Sequence, residues 1–340
     1  MNATTYGLDI AKSVFQMYWL DPSNGKTHNR QFNRKELIEF LSRCPAGRVA
    51  LEACGGAHWW ARKIRSLGHE ATLIHPGYVR AFVRTNKTDA ADARAIWTAA
   101  QQPGMPAVAV KTEDQQAVLG LHRIREELVA SRTRQCNQIR GLVGEYGVHF
   151  AKGRNAFLKA LVTRRAELEQ AVPPLLIQAL DRQLTALRLL EEQIQMIERD
   201  IQVWLRAHPA ARAIEAIPGI GAITATALVA TMGDPQAFRS GRAFAASLGI
   251  VPTQTGTGGE VRLGHISKRG NSFLRRLLVH GARSVLTHSK NPPAWALALL
   301  ARRPTNVVIV ALANRMARTA WALLAHGRQY DSQYISQRPA

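Results

Sequence analysis

From residue 112 to about 147, and again from Pro174 to Trp204, apolar residues recur every three or four positions, with only a short helical stretch after Gly153 between the two runs. The first run carries Val118, Leu121, Ile124, Leu128, Ile139, Leu142 and Val143. The second carries Leu180, Leu184, Leu187, Leu190, Ile194, Ile197, Ile201 and Trp204, a coiled-coil-like stripe with Glu191, Glu192 and Glu198 on its flanks. Helices of this length split the chain into residues 1–110, 111–207, 208–330 and a tail at 331–340, which has no readable pattern. The helical pair reads equally as a protruding arm or dimer contact and as a hairpin within one chain. Arg123, Arg125, Arg132 and Arg134 lie on the first run and are candidates to line a nucleic-acid path, because a phosphate contact needs only a well-placed cation.

Composition narrows the partners. The 340 residues are 46% hydrophobic and 20% charged, which is a globular balance. The formal charge of +21 would repel itself in a compact fold unless a polyanion is present, and nucleic acid is the usual one. A membrane-surface role fits poorly, since the basic residues are spread along the chain and not set beside one apolar anchor. Asp9 and Lys12 interrupt any early apolar run, so no signal peptide is expected. Residues 307–325 are apolar, but Asn314, Arg315 and Arg318 within them predict a buried amphipathic helix and not a membrane span. Cys44, Cys54 and Cys136 are unpaired by spacing, which fits a reducing cytoplasm without structural zinc.

The first hundred residues alternate differently. Thr4–Ile10, Ser13–Leu20 and residues 27–33 read as strands of an antiparallel meander; a helix follows at Lys35–Ser42, a buried strand at Arg48–Glu52, a helix from Trp59 and a strand at Ala71–Ile74. This is a mixed α/β domain. It places Asp9 and Glu52 at the exits of apolar strands, where an acid is costly to bury unless paired or metal-bound. Next comes Asn86-Lys87-Thr88-Asp89-Ala90-Ala91-Asp92-Ala93-Arg94, in which Thr88 is a helix cap and Asp89 and Asp92 share one helix face. Alone, that acidic pair reads as a solvated first turn favoured by the helix dipole. Joined by Asp9 and Glu52, it reads as a four-carboxylate site for two divalent cations, suited to phosphodiester cleavage or transfer.

In the last third, Ala216-Ile217-Pro218-Gly219-Ile220-Gly221, followed by Thr224-Ala225, has the form of a helix-hairpin-helix. Its Gly219 and Gly221 would leave backbone N–H groups open to a phosphate. A short helix is expected at Phe238–Leu248, then a hydroxyl- and glycine-rich loop from Pro252 to Gly259. Lys268, Arg269, Arg275 and Arg276 cluster just beyond it, a setting for a phosphate at a reaction centre.

These motifs carry a resemblance. Gly7-Leu8-Asp9-Ile10-Ala11-Lys12, Leu51-Glu52-Ala53-Cys54-Gly55 and the Asn86–Arg94 stretch resemble, in order and wording, the DEDD transposases of bacterial insertion sequences. Pro218-Gly219-Ile220-Gly221, the Thr257-Gly258-Gly259 loop and Ile266-Ser267-Lys268-Arg269-Gly270-Asn271 resemble their C-terminal transposase domain. The resemblance implies an RNase H-like (RuvC-like) α/β N-terminal domain, a coiled-coil middle and a mostly α C-terminal domain. It implies that Asp9, Glu52, Asp89 and Asp92 bind two Mg²⁺ ions; that a hydroxyl in the glycine-rich loop is a nucleophile; and that Lys87 is among the nucleic-acid contacts. The family's hydroxyl is usually serine. Counted from Pro252 the position falls on Thr257, with Thr255 and Ser267 as alternatives, or Thr257 only hydrogen-bonds the loop or a phosphate.

The resemblance further implies a cytoplasmic bacterial enzyme that cuts and rejoins donor and target double-stranded DNA. A structured noncoding guide RNA would choose the sequence. The assembly would be a tetramer built as a dimer of dimers, with the carboxylates of one subunit meeting the hydroxyl loop of another. Two other readings compete: a RuvC-like endonuclease that hydrolyses DNA junctions, and a non-catalytic nucleic-acid-binding protein on a degenerate nuclease fold.

Overall fold

The computed structural model describes residues 3–83 and 88–332, so Lys87 and Asn86 lie outside the described residues. Packing divides the chain into two compact units. One runs to Gln115 and includes Thr231–Arg239; the other takes Gln116–Ala230 and the chain from Ser240.

The first unit is built on a sheet. Strands β1 (Thr5–Ile10), β2 (Val14–Leu20) and β3 (Thr27–Asn33) form the expected antiparallel meander. Next, β4 (Arg48–Glu52) pairs parallel to β1, β5 (Glu70–Ile74) pairs parallel to β4, and β6 (Ala107–Val108) closes the edge antiparallel to β5. The order is β3-β2-β1-β4-β5-β6, which puts β1 inside the sheet. Helix α1 (Arg34–Arg43) starts at a capping box in which the Asn33 side chain accepts from Glu36 N–H and Glu36 accepts from Asn33 N–H. Helices α2 (Ala57–Ser66), α3 (Pro76–Val79) and α4 (Asp89–Ala100) complete the unit.

Strand alternation sorts the core into two layers. Tyr6, Leu8, Phe15, Met17, Phe32, Val49 and Leu51 pack with Leu37 and Leu41 of α1 and Trp60, Ala61 and Ile64 of α2. On the opposite face, Ala50 and Ile74 pack with Val79 and with Ala95, Ile96 and Ala99 of α4. Burying each large apolar side chain here stabilises the fold by roughly 1.5–3 kcal/mol.

The second unit is mostly helical. In chain order it contains α5 (Glu113–Gly144, entering from the first unit), α6 (Arg154–Thr163), α7 (Arg165–Ala171), α8 (Pro174–Ala207), α9 (Pro209–Glu215) and α10 (Ala222–Met232). Then follow α11 (Gly241–Ser247), a hairpin of β7 (Pro252–Thr255) and β8 (Arg262–Ile266), α12 (Ser272–His288), α13 (Ala294–Leu300) and α14 (Thr305–His326). The long helices α5 and α8 pack on each other. Arg125 meets Glu198, Arg132 meets Glu191 and Gln135 meets Gln183, so rising numbers on α5 match falling numbers on α8 and the pair is antiparallel. Cys136, Ile139 and Val143 share a core with Ile177, Leu180 and Leu187, closed by Phe157, Leu161 and Leu168 of α6 and α7. Much of the two apolar stripes is buried between these helices, while Ile124 and Leu142 of the first stay exposed.

Two details depart from the sequence reading, and a third, the burial of the apolar helix near the C-terminus, agrees with it. The glycine-rich stretch after Pro252 is not only a loop but a two-stranded hairpin, whose polar and exposed strands lack the alternation that marks a half-buried one. The helix expected from Phe238 starts at Gly241, because the Ser240 side chain caps it by accepting from Ala243 N–H. And α14 is long and apolar enough to cross a membrane by composition. It nonetheless buries Val308, Ile309, Leu312, Met316 and Leu323, while Asn314 Nδ2 donates to Ile250 O at 3.1 Å, as a core helix would.

Candidate active site

Strands β1 and β4 run side by side in the same direction, with Leu8 level with Leu51. One residue further along each strand are Asp9 and Glu52, near the C-terminal ends. Alternation sets the face they share. Leu8 belongs to the core beneath α1 and α2, so Asp9 faces the α4 side. Ala50 belongs to the core beneath α4, so Glu52, two residues on, faces that side as well.

The other two carboxylates arrive with α4. The Thr88 side chain accepts from Ala91 N–H at 3.2 Å and starts the helix, which places Asp89 and Asp92 in its first turn. This helix lies against β1 because residue 7 is glycine. A Cβ there would stand 2.4 Å from Ala93 O, 2.5 Å from Trp97 N and 2.6 Å from Trp97 Cβ. Trp97 Nε1 donates to Thr5 O at 3.0 Å, and Asn29 Nδ2 donates to Ala90 O at 3.0 Å, so β1 and β3 both hold the helix in place.

The other three acids act electrostatically on Asp9. Its pKa is pushed up to about 6, first by burial and then by the carboxylates of Asp92, Asp89 and Glu52, against a lowering contribution from Ile10 N–H. A carboxylate held among three others gains most from a multivalent cation, and an all-oxygen donor set suits Mg²⁺ in chemistry. As they stand, however, no three His, Cys, Asp or Glu side chains among the described residues are gathered tightly enough to hold one ion. Asp9 and Glu52 share one face of the sheet, and the first turn of α4 carries Asp89 and Asp92.

Thr257 belongs to the other unit, in the turn between β7 and β8. Its carbonyl accepts from Glu260 N–H at 3.3 Å, and its hydroxyl has no hydrogen-bond partner among the described residues. Gly256 beside it lets the turn close, since a Cβ there would stand 2.1 Å from Glu260 O. Thr255 is exposed on β7, and Ser267 Oγ accepts from Arg269 N–H at 3.4 Å.

The basic candidates divide into paired and open groups. Arg125 is bonded to Glu198, Arg132 to Glu191 and Arg134 to Glu127, while Arg123 is exposed. Arg275 Nη1 donates to Leu248 O at 3.0 Å, and Arg276 pairs with Glu126. Lys268 and Arg269 are exposed, with Lys268 in a left-handed backbone conformation at φ 52°. Gly219 is taken up by packing: at φ 87° it lies against α12, where a Cβ would stand 2.8 Å from Gly281 O. Gly221 is open, with nothing within 4 Å of an added Cβ.

Sequence reasoning quoted Gly7 without finding its part in the site. The available signal was a glycine within an apolar strand, which marks a close backbone approach.

Comparison with known proteins identifies the family. A family model for the DEDD transposases of IS110 matches residues 6–148, and the model described as the transposase IS116/IS110/IS902 family matches residues 211–297. A Pseudomonas aeruginosa protein named as a probable family 20 transposase is 45% identical, over 97% of this chain and 99% of its own. The transposase for insertion sequence element IS1328 of Yersinia enterocolitica is 41% identical over the same shares, 97% and 99%. The transposase for insertion sequence element IS1111A of Coxiella burnetii is 38% identical over 95% of this chain and 90% of its own. Similar to such relatives across nearly its whole length, the chain belongs to the IS116/IS110/IS902 family of transposases.

Proposed function

We propose that this transposase cuts and rejoins donor and target DNA by phosphoryl transfer at the four-carboxylate face, using a hydroxyl nucleophile. The observation that carries the reading is the convergence of Asp92, Asp89 and Glu52 on Asp9 at the ends of β1, β4 and the start of α4. Asp9, Glu52, Asp89 and Asp92 would hold two Mg²⁺ ions. When bound, the ions supply positive charge to the phosphate undergoing exchange. The chain itself supplies position: Gly7 and the Thr88 cap set where α4 delivers its acids, and burial on the sheet keeps Asp9 and Glu52 from retreating into solvent. Thr257 then attacks phosphorus. An Oγ1–P bond forms as one P–O bond of the strand breaks, the hydroxyl proton passing through solvent to the leaving strand oxygen. In the second exchange a strand-end hydroxyl attacks, its new P–O bond forming as the Oγ1–P bond breaks and restores the threonine hydroxyl.

The finer parts of the reading rest on the resemblance in sequence. A structured noncoding RNA would choose the sites, with the protein holding backbone and shape. Exposed Arg123, Lys268 and Arg269 suit such contacts, and the turn between α9 and α10 would serve as a helix-hairpin-helix through Gly221. A dimer of dimers is the proposed assembly. Leu189, Met196 and Val203 recur one heptad apart on the exposed face of α8, which supports a coiled-coil contact beyond the intramolecular pair. The site of action would be the bacterial cytoplasm.

A junction endonuclease stays in view for one reason: the Thr257 hydroxyl has no hydrogen-bonded base among the described residues, and the carboxylates alone suit hydrolysis. The main test is Asp92→Ala. It should abolish strand exchange while DNA and RNA binding persist, as measured by filter binding on the same preparation. Equal loss of binding would make the acid structural and remove the basis of the proposal.

A further inference from the structure

A second feature adjoins the carboxylates. A cleft of about 420 Å³ is lined by Ile10 at the end of β1, Ala11 and Lys12 just after it, Arg34 from α1, Cys54, Gly55 and Gly56 from the turn before α2, and Trp60 of α2. Its size lies within the roughly 300–1,000 Å³ range of ligand sites. The cleft opens on the α1 and α2 face at the C-terminal end of β1, across the sheet edge from Asp9, and Cys54 on its wall feels the charges of both Glu52 and Asp9. The walls are unlike the carboxylate face. Their charged groups are cations, and neither Lys12 nor Arg34 is in an ion pair among the described residues.

Arg34 is also held in place. Its guanidinium lies 5.2 Å from the ring centroids of both Trp59 and Trp60, which limits the rotamers it must give up on binding. Trp60 is buried, whereas Trp59 is 41% exposed and offers an aromatic face beside the cation. Across the cleft the backbone is bare. A Cβ at Gly55 or Gly56 would meet nothing within 4 Å, so a chain of phosphates has room to approach. Cations, an exposed indole and open backbone next to an acidic centre are the features that hold a nucleic-acid strand by its backbone.

We propose that this cleft is a positioning subsite for the DNA strand acted on at the carboxylates, with Lys12 and Arg34 gripping phosphates that neighbour the reacting one. The inference rests on the reading that Asp9 and its partners act on DNA. An acidic centre repels the strand it must bind, and cations one step away offset that repulsion without neutralising the acids themselves. Lys12 and Arg34 are therefore positioning residues and not catalytic ones.

Cys54 provides a local reporter, because it is exposed whereas Cys44 is half-buried and Cys136 buried. The experiment is iodoacetamide labelling of Cys54 in the full-length protein, read by mass spectrometry, with a mixed-sequence DNA duplex and its single strand as probes. DNA should slow labelling several-fold, and the Lys12→Ala/Arg34→Ala pair should remove most of that protection at unchanged thermal midpoint. The charge-conserving Lys12→Arg/Arg34→Lys pair should keep it. Gly55→Gln, which fills the cleft and leaves both cations in place, should also weaken protection of Cys54 by DNA. The salt dependence of the protecting DNA affinity should fall by up to about 2 in log–log slope in the double variant. Protection that survives in the double variant, or that RNA confers and DNA does not, would overturn the subsite. Asp9→Asn separates the two readings: it should lose strand cutting and keep Cys54 protection. Cutting that persists in Asp9→Asn while DNA still protects Cys54 would sink the carboxylate reading and leave the cleft standing.

Discussion

Asp9 and Glu52 follow Leu8 and Leu51, both fully buried, whereas Thr257 lies in a hairpin where every residue from Pro252 to His265 is exposed. The contrast follows from what each region must do. Four like charges separate unless a rigid frame holds them, and the frame here is a central strand with a helix laid against its glycine. A hydroxyl nucleophile needs no such restraint until the strand arrives, so it can sit on a turn closed by Gly256 and by the Thr257–Glu260 hydrogen bond. Substitutions in the two regions should accordingly fail in different ways.

The largest effect belongs to the hairpin. Thr257→Val keeps shape and removes the hydroxyl, and it should lower strand joining by on the order of 10³-fold or more, as loss of a nucleophile does elsewhere. Stability should move by no more than about 0.5 kcal/mol, the usual range for an exposed site. Thr257→Ser should retain activity. Gel assays that separate cutting from joining provide the check: a valine variant that still joins strands moves the nucleophile to Thr255 or Ser267, and one that still cuts but cannot join favours the junction endonuclease.

The frame around the acids should show the reverse pattern, with stability and activity lost together. In Gly7→Ala the new methyl would overlap the backbone of α4 at Ala93 and Trp97, so the helix must move outward. Overpacking of this kind costs about 1–3 kcal/mol. A displacement near 1 Å of Asp89 and Asp92 would lower strand transfer by about 10²-fold. Urea unfolding and a strand-transfer rate on one sample test this, and a variant with normal stability and reduced rate would mean that Gly7 contacts substrate instead of helix.

What could be read in the sequence divides along the same line. Asp9 and Glu52 stood out because an acid at the end of an apolar strand is conspicuous, and Thr88 because a threonine before an alanine-rich run is a cap. The long helices were legible for the same reason, since thirty residues of one period leave few alternatives. Pairings across distance were not legible. Nothing near Arg125 or Arg132 indicates that Glu198 and Glu191 on α8 will engage them, and nothing near Gly219 points to Gly281. Short elements were lost too: β6 has only Ala107 and Val108 to signal it, and β7 and β8 bury neither face.

The smallest expected effect concerns the charge on Asp9 alone, and it tests whether the frame stores repulsion. The folded pKa of about 6 lies above the ordinary value of 3.8, so folding favours the protonated acid. Stability from this group is fully present below about pH 4 and is lost as pH rises through 6. Asparagine has no charge to lose. Asp9→Asn should therefore match the native protein near pH 4 and exceed it at pH 8, by roughly 1–2 kcal/mol once solvent screening at this half-buried site is allowed for. Urea midpoints in the presence of a chelator measure the difference. Adding Mg²⁺ at pH 8 should narrow it by stabilising the native protein and not the variant, because only the native site keeps its full set of carboxylates. A difference that is equal at both pH values would show that the acids do not strain the fold, and a gap that Mg²⁺ leaves unchanged would separate the repulsion from metal binding.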